Sequence, residues 1–383
     1  MEGTYPAGVP DRSTAPRGAL WPFYAGGFLG PFGGGMLSSM LPELAHGLNT
    51  DTSTAGVAIT AYLFPFAALM PLSGMLGARW GQARTVRRAY GLYALASVAC
   101  ALATAFGVFT LARAVQGAAN AFTTPLLITM IADRVPPGRV GRSLGTYASM
   151  QAAGMAFAPF VGGLAAGVDY RLAFVVIALA ATALALATST SQDTARARRG
   201  APWRPLVNRR MGQACLVAFT VQFASTGIML LSAMEASSRF GLTPASRGLV
   251  VATFGAAGLA SGRLVGALAD RFGMRRLGFA ATVVLACSVT AAAWPPTPGV
   301  LVLCVGVAGV AATGGRVMTS TFALLSTPAN RSTATALCLS TQFLGSAIAP
   351  VLLPVYTGSV VAAFGIAGGI AAAGALLTLH RPR

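Results

Sequence analysis

The chain has 383 residues, of which 55% are hydrophobic and only 9% charged, with a mean hydropathy of +0.68. Soluble domains carry about 25% charged residues, so water is excluded as the main solvent of this chain. The net charge of +18 would suit nucleic acid if it were gathered on a polar domain, but the arginines sit in short gaps between apolar runs, and no nucleic-acid partner is expected. All 27 basic residues are Arg. Cys100, Cys215, Cys287, Cys304 and Cys338 fall inside apolar runs, and His46 and His380 lie at segment ends, so neither a disulfide framework nor a metal centre is indicated, and no cofactor is expected.

Residues 1–18 form a polar tail with Pro6, Pro10 and Pro16, without the signature of a cleavable signal peptide. Six apolar runs follow at about 20–42, 53–75, 88–106, 108–132, 142–166 and 171–188, which define a first bundle over 19–188. A polar linker at 189–210 carries Arg196, Arg198, Arg199, Arg204, Arg209 and Arg210. Six more runs at about 211–234, 247–266, 277–294, 298–325, 333–354 and 358–379 define a second bundle over 211–379, ahead of a short tail at 380–383. Each run is near the roughly 20 residues that a helix needs to cross the hydrocarbon layer. The expected fold is an all-α integral membrane protein of 12 transmembrane helices in two pseudo-symmetric six-helix bundles. The runs are rich in Gly and Ala, as closely packed membrane helices are.

Arginines divide unevenly between the two sides. Tails, linker and the loops on their side hold 21, against Arg171, Arg239 and Arg247 in the opposite loops. The positive-inside rule then puts both termini in the cytoplasm, with the protein in the inner membrane.

The run Gly266-Ala267-Leu268-Ala269-Asp270-Arg271-Phe272-Gly273-Met274-Arg275-Arg276 reads as a turn between two spans, combining small residues, cations for the anionic leaflet and one carboxylate. A weaker copy, Gly74 to Arg84 with a further glycine at Gly77, stands 192 positions earlier and keeps Gly74, Leu76, Arg79 and Gly81. Pro137, Gln151, Gly154, Ala158 and Pro159 match Pro328, Gln342, Gly345, Ala349 and Pro350 at an offset of 191. The chain is a duplication, and two parallel six-span repeats are a design in which substrate binds between the halves near the midplane.

Over essentially its whole length the chain resembles the major facilitator superfamily, and most of all its 12-span drug:proton antiporters. The Gly266–Arg276 run is similar to the family's loop motif. Arg113, Gln116 and Gly117 are similar to its Arg-x-x-Gln-Gly motif. Gly154, Ala158, Pro159, Gly162 and Gly163 resemble the exporter motif Gly-x-x-x-Gly-Pro-x-x-Gly-Gly, with Ala158 in place of a Gly. Two positions depart from the pattern: Ala78 stands where the first loop usually has Asp, and Gly33-Gly34-Gly35 and Ser38-Ser39 stand where many proton antiporters carry an acid.

Each candidate has a plain structural reading and a functional one. Asp270, with Arg271, Arg275 and Arg276, is either a solvated turn or, as the resemblance implies, a latch whose acid engages an opposing helix end in one conformation only. Arg113 shares a helical face with Gln116, Gly117, Asn120 and Thr124, a polar stripe expected to face a cavity. It either snorkels to the interface or, as in the family, tunes a carboxylate or binds substrate. Arg316, with Thr313 and Ser320 on its face, is a snorkelling cation or a substrate or counter-ion residue. Glu43 and Glu235 end spans 1 and 7, again 192 apart, and Glu235 extends a stripe of Gln222, Ser225 and Ser232, which makes it the leading proton candidate over a simple helix-end acid. Gln151 and Gln342 are placed on cavity faces by the repeat. Gly154, Ala158 and Gly162 recur at helical spacing for close packing, with a kink expected at Pro159.

These features point to an exporter of small amphiphilic compounds working by alternating access and coupled to proton influx, a monomer whose partners are the bilayer and a small molecule. Cations at Arg113 and Arg316, without a deep acid, favour neutral or anionic amphiphiles over organic cations. An importer or facilitator on the same fold is the alternative. An enzyme is not expected, because no His lies within a span and no His-Glu-x-x-His or paired intramembrane aspartates occur.

Overall fold

The computed structural model describes residues 20–188, 208–326 and 331–379, and no β-strand occurs among them. Fifteen α-helices follow one another: α1 (Trp21–Gly35), α2 (Leu37–Gly47), α3 (Thr52–Trp80), α4 (Gln82–Leu102), α5 (Phe106–Asn120), α6 (Thr124–Arg134), α7 (Val140–Ala166) and α8 (Arg171–Ala187) in the first half. The second half holds α9 (Arg209–Ser238), α10 (Pro244–Phe272), α11 (Met274–Ala291), α12 (Pro298–Ser326), α13 (Arg331–Ile348), α14 (Leu352–Gly358) and α15 (Val360–Leu379). The pairs α1/α2, α5/α6 and α13/α14 continue one another, so the described helices form two sets of six segments. Eight segments are long and apolar enough to cross a membrane by themselves. The expected tails and most of the linker lie outside the described residues.

Local chemistry sets the boundaries. Asn208 caps α9 through its side chain on the Met211 amide at 2.7 Å, so Arg209 and Arg210 belong to the first turn of that helix and not to the linker. Asp51 and Thr243 cap α3 and α10 in the same way. The loop motif is not an extended turn. Gly266 to Phe272 complete α10, Arg275 and Arg276 open α11, and the chain reverses at Gly273 alone (φ 85°). Gly81 does the same between α3 and α4 (φ 88°). A side chain at either site would be strained, which is why both copies keep this glycine. The repeated prolines differ: α7 runs unbroken through Pro159, whereas Ala349–Val351 is a 3-10 turn that breaks the eleventh segment at Pro350.

The duplication is built into the packing. Gly117 on α5 lies against the Tyr62 carbonyl of α3, and Gly309 on α12 lies against the Phe254 carbonyl of α10. Gly154 on α7 meets the Phe28 carbonyl of α1, and Gly345 on α13 meets the Phe219 carbonyl of α9. Each glycine lets two backbones approach where a methyl would collide. A large hydrophobic core fills each half, around Tyr62, Phe109 and Phe174 in the first and Phe254, Leu285 and Phe364 in the second; the first reaches across to Val251 and Ala347, and a smaller cluster gathers around Met211, Ala323 and Cys338.

Candidate functional site

The two halves meet along α7 with α10 and along α3 with α13. We call the side bearing the Gly81 and Gly273 reversals the hairpin face and the other the far face. Toward the far face the seam is closed by backbone contact. Gly163 of α7 lies against Pro244 and Gly248, Gly248 lies against the Pro159 carbonyl, and Gly255 lies against Ala156. On the other flank Thr60 donates to the Ala347 carbonyl and Ser340 to the Ala67 carbonyl, each at 2.6 Å. Between them the Phe66 and Phe343 rings meet edge-on with centroids 4.5 Å apart. Toward the hairpin face, Gly141 and Gly145 on α7 and Gly262 and Gly266 on α10 meet nothing within 4 Å where a side chain would stand. The seam is zipped on one side and open on the other.

The far face holds two acid clusters. Glu43 of α2 pairs with Arg247 of α10, and Arg247 also donates from Nη1 to Ser237 Oγ of α9 at 2.8 Å. Glu43 also lines a cavity of about 440 Å³ with His46, Asp169 and Tyr170. Glu235 is buried, its carboxylate held by Arg239 Nη1 at 3.3 Å and by the Tyr356 hydroxyl at 2.9 Å. In the sequence Glu235 stands out by its polar stripe, whereas Arg247 reads as a loop cation. A residue 204 positions from Glu43 gives no local signal of the pair.

Arg113 does not face a cavity. It is fully buried within the first half, where Nη1 donates to the Gly33 carbonyl at 3.2 Å and to Gln116 Oε1. Its guanidinium lies over the Tyr62 ring at 4.2 Å and near the Phe174 ring at 5.9 Å, so aromatic faces offset part of the desolvation of the charge. Gln116 passes the chain on to Ser97 Oγ at 2.7 Å, and Asn120 donates to the Tyr62 hydroxyl at 2.8 Å. Among the described residues no carboxylate joins this network. Gly33 backs onto the Tyr93 hydroxyl and Gly30 onto the Asn120 amide, so the first segment's glycines make room for this network. The second half has no copy of it: at an offset of 192, Arg113, Gln116 and Asn120 correspond to Val305, Ala308 and Ala312.

Arg316 does reach the seam. It is half-buried on α12, with Nη1 3.5 Å from the Met155 sulfur of α7 in the other half and Nη2 3.4 Å from Thr313 Oγ1. Gln151, one turn from Met155, and Gln222 of α9 are half-buried. Gln342 is buried, its amide 4.0 Å from the Cys338 sulfur. At the hairpin face, Asp270 is exposed and makes no ion pair or side-chain hydrogen bond with any described residue. Arg79 and Arg276 are exposed, and Arg271 is exposed over the Phe272 ring. Arg275 leaves the group altogether: its Nε donates to the Thr378 carbonyl at 2.7 Å and Nη2 to that of Leu379, capping the end of α15.

Two homologous helical bundles with a seam closed on one side and open on the other define a multi-pass membrane transporter. The chain belongs to the Major Facilitator Superfamily, whose sequence model matches it twice, at residues 23–213 and 214–383. Among curated relatives, the MFS-type transporter EfpA of Mycobacterium tuberculosis is 32% identical over 137 residues, 36% of this chain and 26% of EfpA. The drug efflux pump JefA of the same species is 29% identical over 138 residues, 36% of this chain and 27% of JefA. The match therefore spans only about a quarter of either relative. Among solved structures, the nucleoside transporter NupG superposes with a TM-score of 0.78 at 16% identity, covering 94% of this chain and 99% of NupG. A D-xylose-proton symporter gives 0.76 at 17% identity, covering 94% and 96%. At such identities the likeness is one of fold.

Proposed function

We propose that this protein exports small amphiphilic compounds by alternating access, driven by proton influx, with the hairpin face in the cytoplasm and the membrane being the inner one. The observation that carries the reading is the position of the exporter-like segment. Gly154, Ala158, Pro159, Gly162 and Gly163 are buried along α7, and its far-face end packs by backbone contact on Gly248 and Pro244 of the other half. A seam of that kind closes the far face tightly while the hairpin face admits compounds from the cytoplasm or inner leaflet. The relative named as a drug efflux pump and the arginine-rich hairpin face support the same direction.

In this reading Asp270 is the latch of the hairpin face, free in the state described here and engaged when that face closes. Glu235 and Glu43 are the acids available to a coupling proton, and Arg316 faces the transported compound, a neutral or anionic amphiphile. The protein acts as a monomer. Accumulation of ethidium, norfloxacin and a labelled uncharged drug in a pump-deficient host, with and without an uncoupler, tests the proposal. Lower accumulation that an uncoupler abolishes is the expected result. Raised accumulation would replace export by import, and insensitivity to the uncoupler would remove the proton.

A further inference from the structure

Arg113 and Arg316 are both arginines inside the bundles, and the fold treats them in opposite ways. Arg113 is sealed among aromatic rings and hydrogen-bonded to Gly33 and Gln116. Arg316 occupies the position that Thr124 holds in the first half, so it is not the copy of a structural arginine. It lies ten residues before the hairpin-face end of α12, about 15 Å into the protein. Its two contacts are long, and the thioether of Met155 is a poor acceptor.

Among the described residues no acid pairs with it. Glu43 is taken by Arg247, Glu235 by Arg239 and Tyr356, and Asp270 stands at the hairpin face. A charge at this depth costs about 2.5–3.5 kcal/mol on insertion scales, and such residues usually face a partner or a cavity. Here the described residues supply only Thr313 and the Met155 sulfur, and the seam beside Arg316 is open toward the hairpin face. A guanidinium presents paired N–H donors that match the two oxygens of a carboxylate. Partly buried Phe28, Phe343 and Met155 provide apolar surface along the same seam.

We propose that Arg316 is the anion-binding residue of the transport site and that the transported compounds carry a single carboxylate on an apolar body. This rests on the transport reading above but not on its direction. The test is equilibrium binding of 1-naphthaleneacetate and its amide, and of 4-pentylbenzoate and its amide, to the full chain in nanodiscs, with empty nanodiscs subtracted. In the wild type at least one acid binds about 10- to 100-fold more tightly than its amide. Arg316→Gln erases that difference, Arg316→Lys keeps part of it, and Arg263→Gln, an exposed site on α10, leaves it intact. Melting temperatures show that the variants are folded, and the Lys variant decides the matter if the Gln variant is not.

Equal binding of acid and amide, no saturable binding of either acid, or a preference that survives in Arg316→Gln overturns the proposal. The measurement uses no gradient. Acid-selective binding in a protein that does not lower cellular accumulation would therefore remove the export reading and leave the anion site standing. Export of drugs without acid selectivity would do the reverse.

Discussion

Glu43 of α2 and Arg247 of α10 form an ion pair that ties the first segment of one half to the second segment of the other. Through Ser237 the same guanidinium also holds α9. Because the pair spans the seam, it stabilises only states in which the far face is closed. Removing one partner costs several kcal/mol when both charges are buried. Glu43 keeps a quarter of its side chain exposed, so a penalty of about 1–2 kcal/mol is the fair expectation, a factor of about 5–30 in population. Arg247→Ala should therefore open the far face. Spin labels at the exposed positions Val168 and Trp294, one in each half, would report a larger share of long distances. An unchanged distribution would show that the glycine seam alone sets closure.

That seam yields a sharper contrast. A methyl at Gly163 or Gly248 would press on backbone atoms of Pro244 or Pro159, which cannot swing away as a side chain can. At Gly145 on the same helix α7 there is open space. Gly163→Ala and Gly248→Ala should keep the protein folded yet abolish transport by holding the far face apart, while Gly145→Ala should leave the closure of the far face unchanged. Transport rates and the same label pair check both; wild-type transport in Gly248→Ala would show that the halves can separate there without loss.

Asp270 has no partner among the described residues, so its charge adds little to the stability of this state. Asp270→Asn should leave the melting temperature nearly unchanged, as for surface substitutions within about 0.5 kcal/mol. It should slow transport several-fold, because the state with the hairpin face closed loses its latch. A large fall in melting temperature with normal transport would mark Asp270 as a structural cap instead.

Outside the spans, Asp51 accepts hydrogen bonds from the Ser53 hydroxyl at 2.5 Å, the Thr54 hydroxyl at 2.5 Å and the Thr54 amide at 2.8 Å. These donors hold its carboxyl well below the usual carboxylate range. A depressed folded value means the contribution is complete above the unfolded pKa of about 3.9 and is lost as pH falls through the folded one. Asp51→Ala should lower the melting temperature by the same amount at pH 5 and pH 8, with the gap narrowing only below about pH 4. A gap that already closed at pH 6 would contradict this.

Much of the architecture is legible in the chain because the membrane imposes it: run lengths, the offset repeat and the reversing glycines all have local signatures. The helical face Arg113, Gln116, Gly117 and Asn120 is also real, but spacing cannot say what a face meets. On α5 it meets the glycines and tyrosines of its own half, not a cavity. Long-range partners leave no local trace either. Nothing in the run Arg275-Arg276 distinguishes the arginine that caps α15 from the one left in solvent. The two acids 192 residues apart look alike in sequence, yet Glu43 bridges the halves and Glu235 binds within its own.

The buried arginine gives the last prediction. Arg113→Ala removes the donor that satisfies Gly33 and Gln116 and leaves a cavity between Tyr62 and Phe174, and large-to-small changes in a core cost about 2–5 kcal/mol. Arg113→Met fills most of the space without a charge to desolvate, and exchanging a buried charge for an apolar side chain of similar size is often neutral or stabilising. The Ala variant should melt well below the wild type and the Met variant close to it. Transport then separates the two roles of the residue. If Arg113 only braces the first half, the Met variant transports normally, as its place outside the seam leads us to expect. A folded Met variant without transport would mean that the charge itself is felt at the seam through Gln116, Ser97 or Tyr62, none of which a bracing role requires.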